Sequence, residues 1–196
     1  MGSIPFALRV YVVICGALGV ILAVLPLIVS PSAFSDLDIL SASVLVLMTV
    51  LAIKFPIVLR ASVELFMVAV PMTALVLTTP LPLVGSLVGL SSVIGYLLLR
   101  AQDPVEIVFN ASQAVIHLTL TAAAFSVLKN QAWLGPDVGG VGPLGAIVAT
   151  GLVLIASNYA LVSGAAALQM GANFFRVWRS HFTRDLITEV TQIGVG

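Results

Sequence analysis

Three polar side chains in an otherwise oily stretch carry most of the chemistry this sequence can offer. Asn110, Gln113 and His117 stand three and four residues apart, so on a helix they fall on one stripe, which Thr121 prolongs by a turn. Two carboxamides and an imidazole in a row could contact a ligand or sense a proton. The same groups could instead hold neighbouring helices together by hydrogen bonds. Asn158 adds a fourth polar group near Ser157, Tyr159 and Ser163. Counted along their helices, His117 lies roughly 15 Å and Asn158 roughly 18 Å from the same end. A hydrogen bond between those two helices is expected. Arg60 and Glu64, four residues apart, are expected to form an ion pair across one helical turn, with Arg60 reaching toward the membrane interface. No paired acids and no nucleophile with a nearby base occur at matching depth. The only cysteine is Cys15, and no Cys/His metal spacing or glycine-rich phosphate motif is present. The expectation is a protein that is not an enzyme, with no catalytic residues, no metal and no cofactor.

The elements that position these groups must live in lipid. Only 8% of the 196 residues are charged and 60% are apolar, with a mean hydropathy of +1.20. A soluble fold of this size would leave too much greasy surface exposed. The apolar runs have the length of membrane helices, and the ~10-residue alternating segments of a membrane barrel are missing. The fold class expected is all-α, a polytopic transmembrane bundle of six spans. These cover about Leu8–Val29, Ile39–Ile53, Ala61–Thr79, Leu83–Leu99, Val105–Leu128 and Pro143–Met170. Residues 1–170 form the transmembrane domain. Residues 171–196 form a cytoplasmic interfacial helix and the start of a further span or linker. The first run is too long for a signal-peptide core and is read as an uncleaved span. Pro71 is expected to kink span 3.

Orientation follows from Lys and Arg. With a cytoplasmic N-terminus and six spans, Arg9, Lys54, Arg60, Arg100, Arg176, Arg179 and Arg184 all lie inside, and only Lys129 lies outside. Both termini are therefore expected in the cytoplasm. The zero net charge gives no reason to expect a nucleic-acid partner. Gly85-x-x-x-Gly89, with Ser91 and Gly95 on another stripe, marks close helix approach within the bundle, a homodimer being the other use of such a motif. Phe174, Phe175, Arg176, Trp178, Arg179, His181, Phe182 and Arg184 alternate aromatic and basic character, as a helix at the headgroup layer does.

The order of these features resembles a known family. A basic Lys54–Arg60 segment precedes a span. A polar-faced span opens with Val108-Phe109-Asn110-Ala111-Ser112-Gln113. A span with Tyr159-Ala160-Leu161-Val162 follows, and then Val177-Trp178-Arg179-Ser180-His181-Phe182. Together, over about Lys54–Phe182, they resemble the N-terminal multi-span membrane input domain of bacterial signalling proteins of the GGDEF/HD-GYP or histidine-kinase type. The sequence departs from that family at Ser163, where an asparagine is frequent, and in ending where the family continues with further spans. The resemblance implies a sensor in the bacterial inner membrane that passes a ligand signal or membrane state to a cytoplasmic output module. By size and span count, a small-molecule transporter is the alternative, such as the six-helix substrate-binding subunit of a vitamin uptake system. The partners expected are the lipid bilayer, an unidentified small molecule and a second copy of the chain.

Overall fold

The computed structural model of the chain describes residues 4–55, 57–60, 63–65, 68–98, 103–128 and 141–180, with 57–60, 63–65, 69 and 141–144 as backbone alone. The architecture is helical. Helix α1 spans Phe6–Val29, α2 Ile39–Lys54, α3 Ala69–Thr78, α4 Leu81–Leu98, α5 Pro104–Leu128 and α6 Val141–Met170. Four of these contain stretches long and apolar enough to cross a membrane: α1, α4, α5 and, from Gly145 onward, α6. Helix α2 is apolar but has 16 residues, and α3 has 10.

Local signals account for the helix ends. Helix α1 stops at Ser30 because Pro31 disfavours helical backbone before it, and a 3₁₀ turn, Pro31–Phe34, follows. Asp38 caps α2, its carboxylate accepting from the amides of Leu40 and Ser41 at 3.1 and 3.2 Å and from the Ser41 hydroxyl at 2.6 Å. Asp103 caps α5 through the Val105 amide, with Pro104 at the first helical position. After α6, Gly171 takes a φ of +60°, the left-handed turn that glycine permits at a helix end. Asn173 then accepts from the amides of Phe175 and Arg176 and starts a short helix over residues 174–180.

Span 3 departs from expectation. Residues Ile57–Arg60 (β1) and Val63–Leu65 (β2) pair as an antiparallel hairpin, with Val58 opposite Glu64 and an irregularity between Val58 and Arg60. Helix begins only at Ala69. Pro71 therefore sits in the first turn of α3, where its missing N–H is one of the donors that have no intrahelical partner anyway. The proline does not kink a long helix; it stands at the start of a short one. The Arg60 and Glu64 side chains lie outside the described residues, and their backbone is extended rather than helical.

Helix α5 is the centre of the bundle. It packs on α4, α6, α1 and α3, while α2 packs on α4 and α3. The core runs through Ile53, Leu75, Val84, Val88, Val115 and Leu118. Lys54, at the end of α2, donates through Nζ to the Leu98 carbonyl at the end of α4 at 2.5 Å. Tyr11, early in α1, donates to the Leu161 carbonyl late in α6 at 3.0 Å. These two bonds gather the start of α1 and the ends of α2, α4 and α6 in register with their neighbours. The outward surface is oily: Val13, Ile14, Ile21 and Ile28 of α1 are all more than half exposed. Such a surface suits lipid better than water.

Candidate ligand cavity

Helix α5 carries two different stripes. On one, Val108, Ser112, Val115 and Thr119 follow helical spacing, and each meets a glycine. A Cβ added at Gly16 would lie 3.2 Å from Val108 Cγ1, and one at Gly19 would lie 2.8 Å from Ser112 Cβ. One at Gly85 would lie 3.1 Å from Thr119 Oγ1 and 2.7 Å from the Leu22 carbonyl oxygen, and one at Gly89 would lie 3.1 Å from Val115 Cγ2. The missing side chains let α1, α4 and α5 approach closely, so Gly85 and Gly89 serve packing inside the bundle, as expected. Ser86 adds a hydrogen bond to the Ala23 carbonyl at 2.5 Å. Gly95 does the same work between α4 and α2, where a Cβ would lie 2.7 Å from Ile53 Cδ1.

The other stripe is polar. Gln113 donates through Nε2 to Asn158 Oδ1 of α6 at 2.5 Å, a bond between the two helices made one turn away from His117, whose depth matches that of Asn158. His117 Nδ1 lies 2.7 Å from the Gln113 carbonyl, one turn back, and the Thr121 hydroxyl donates to the His117 carbonyl at 2.7 Å. A carbonyl only accepts, so Nδ1 carries the ring hydrogen and Nε2 is left as an acceptor. The Asn158 oxygen is occupied by Gln113, which leaves its NH₂ group as a donor.

A cavity of about 160 Å³ opens beside these groups, between α3, α5 and α6. Its polar wall is His117, Asn158, Thr73 and Tyr159. Met72, Leu118, Leu154 and Ile155 form the apolar remainder. Among the described residues, no Asp, Glu, Lys or Arg lines it. The structure thus brings Gln113, His117 and Asn158 together and separates Asn110 from them. Asn110 lines another cleft of about 660 Å³ at the shared end of α1, α5 and α6, with Asp103, Glu106 and Gln169. The expected single stripe divides because α1 stands beside α6 at its first turn and α3 does so further along.

Thr73 and Met72 are the contributors that the sequence reading missed. Pro71, two residues before Thr73, was the available signal, since a first-turn proline places the residues after it at the head of a helix. Ser163 is fully buried, and its hydroxyl has no hydrogen-bond partner among the described residues. Those residues also contain no group of three His, Cys, Asp or Glu able to hold a metal ion. No protein-family model, curated protein or solved structure matches the chain.

Proposed function

We propose that the chain is an integral membrane input domain of a bacterial signal-transduction protein, without enzymatic activity of its own. In this reading α1 to α6 make six crossings of the inner membrane, α3 the shortest of them, with both termini cytoplasmic. The observation that carries it is the cavity at the Gln113–Asn158 bond, where polar groups from two helices meet far from either helix end. Buried carboxamides in hydrocarbon are costly unless partnered, and their placement beside an opening marks a functional position. A ligand there would bias the packing of α3, α5 and α6. The helix over residues 174–180, directly after α6, would hand that bias to a cytoplasmic output module.

The test is a fusion of residues 1–196 to a cyclic-dinucleotide synthase or histidine kinase module in bacterial membranes. Replacing Gln113, His117 and Asn158 together by leucine should shift the basal output of the fusion by several-fold. Output unchanged at equal membrane abundance overturns the sensory reading.

One observation favours a transporter as a second reading. Helix α3 is a half-length helix whose first turns border a cavity, and interrupted helices of this kind line substrate sites in transporters. Uptake of a labelled small molecule into proteoliposomes, abolished by His117→Phe, would favour transport over sensing.

A further inference from the structure

The walls of the α3–α5–α6 cavity limit what can occupy it. We infer that it takes a small uncharged molecule of about six non-hydrogen atoms that carries both a hydrogen-bond donor and an acceptor. The inference rests on the reading of this cavity as a ligand site and adds the chemical class.

Three observations converge on that class. The first is volume: about 160 Å³ is close to the ~150 Å³ of a cavity that admits benzene. The second is charge. Among the described residues no ionic side chain lines the cavity, and Met72, Leu118, Leu154 and Ile155 supply much of its wall. A charged guest would surrender its hydration with no counter-charge to replace it. The third is polarity of the fixed groups. His117 Nδ1 is committed to the Gln113 carbonyl at 2.7 Å, so in the neutral ring Nε2 is the atom left to accept from a guest. Asn158 Oδ1 is committed to Gln113 Nε2 at 2.5 Å, so its NH₂ is the group left to donate to a guest. A purely apolar guest would leave both unsatisfied, and each such group costs binding energy. A guest with one N–H or O–H and one carbonyl oxygen satisfies both at once. Lactams, small amides and hydroxyketones fit; amines and carboxylates do not.

Four probes of matched size separate the possibilities: 2-pyrrolidone, with donor and acceptor; cyclopentanone, acceptor only; methylcyclopentane, neither; and the pyrrolidinium cation. The full chain in nanodiscs, labelled with ¹⁵N in its histidine rings, reports binding at His117 through the Nε2 shift. That shift also reads the Nδ1–H tautomer directly. Pyrrolidone should perturb Nε2 saturably and bind about tenfold more tightly than cyclopentanone or methylcyclopentane, as two modest hydrogen bonds allow. Pyrrolidinium should not bind. The Gln113→Leu/Asn158→Leu pair, which leaves no orphaned amide, should erase the preference over methylcyclopentane by about half on a logarithmic scale, because the His117 bond remains. Gly151→Ala, outside the cavity wall, should leave the preference in place. Equal binding of methylcyclopentane, tighter binding of pyrrolidinium, or no saturable shift with any probe overturns the inference. The input-domain reading is judged separately, by the basal output of the fusion protein, which requires no added probe.

Discussion

The two long faces of α5 solve the problem of packing in lipid in opposite ways. Toward α1 and α4 the helix is set against glycines, and contact is so close that an added methyl would strike backbone. Toward α3 and α6 it carries the Gln113 carboxamide and the His117 imidazole, and a cavity of about 160 Å³ opens between the helices. In hydrocarbon there is little hydrophobic drive between helices, so association must come from close packing or from hydrogen bonds. Here one helix uses each device on its own side. The glycine side is held by close contacts at Gly16, Gly19, Gly85 and Gly89, beside an almost wholly apolar cleft of about 340 Å³, and serves as a frame. The polar side depends on a few directional bonds next to its opening, so a guest there can exchange hydrogen bonds with it.

The largest effect expected is on the tight face. Gly85→Val should destabilise the bundle by about 3 kcal/mol, because its Cβ would meet the Leu22 carbonyl oxygen at 2.7 Å and backbone cannot swing aside. Unfolding in mixed detergent micelles would measure this. Gly151→Ala is the control, since nothing lies within 4 Å of the added carbon, and stability should hold or rise slightly. If the two variants unfold alike, the tight face is not a frame.

On the polar face, Asn158→Leu or Gln113→Leu alone should cost about 1–2 kcal/mol, because each leaves the other amide unsatisfied at depth. The double variant should recover much of that loss. A double-mutant cycle giving a coupling near 0.6 kcal/mol or above supports the bond, and additivity speaks against it. Next comes Tyr11→Phe, at about 0.5–1 kcal/mol, through loss of the bond to the Leu161 carbonyl. Gly164, where an added Cβ would lie 2.8 Å from the Tyr11 hydroxyl, should become more tolerant of alanine in that background.

Asp38 lies outside both faces and calibrates them with the smallest change. The Ser41 hydroxyl, then the Ser41 and Leu40 amides, hold its carboxyl below the ordinary value of 3.8. A lowered carboxyl contributes stability that is present above that value and fades as pH falls through the depressed range. Asp38→Ala should therefore lower the melting temperature slightly at pH 7, and the gap should close toward pH 3. A gap that persists in acid would point to something other than the capped carboxylate.

Much of the helical plan was legible in the sequence. The bounds of α2, α4, α5 and α6 follow from apolar runs ended by proline, glycine and charge, signals that act locally. A bond between α5 and α6 was legible by depth, because His117 and Asn158 sit at comparable distances along antiparallel helices, but the partner that Asn158 takes is Gln113, one turn away. The hairpin was not. Ile57, Val58, Leu59 and Val63 suit a strand and a membrane helix equally, and a short apolar run does not decide between them. Gly16 and Gly19 were passed over because a glycine pair in α1 gains meaning only when Ser112 and Val108 are brought against it. Asn110 was grouped with the wrong neighbours because periodicity places a residue on a face without saying which second helix, α1 or α3, stands beside α6 at that turn.

The hairpin before α3 has a consequence for the bilayer itself. Two paired strands satisfy each other along one side only, so their outer edges call for hydrogen-bond partners from elsewhere. Ten residues of α3 are only about 15 Å long. In the six-crossing arrangement proposed above, water or lipid headgroups would have to reach inward beside this segment to supply those partners.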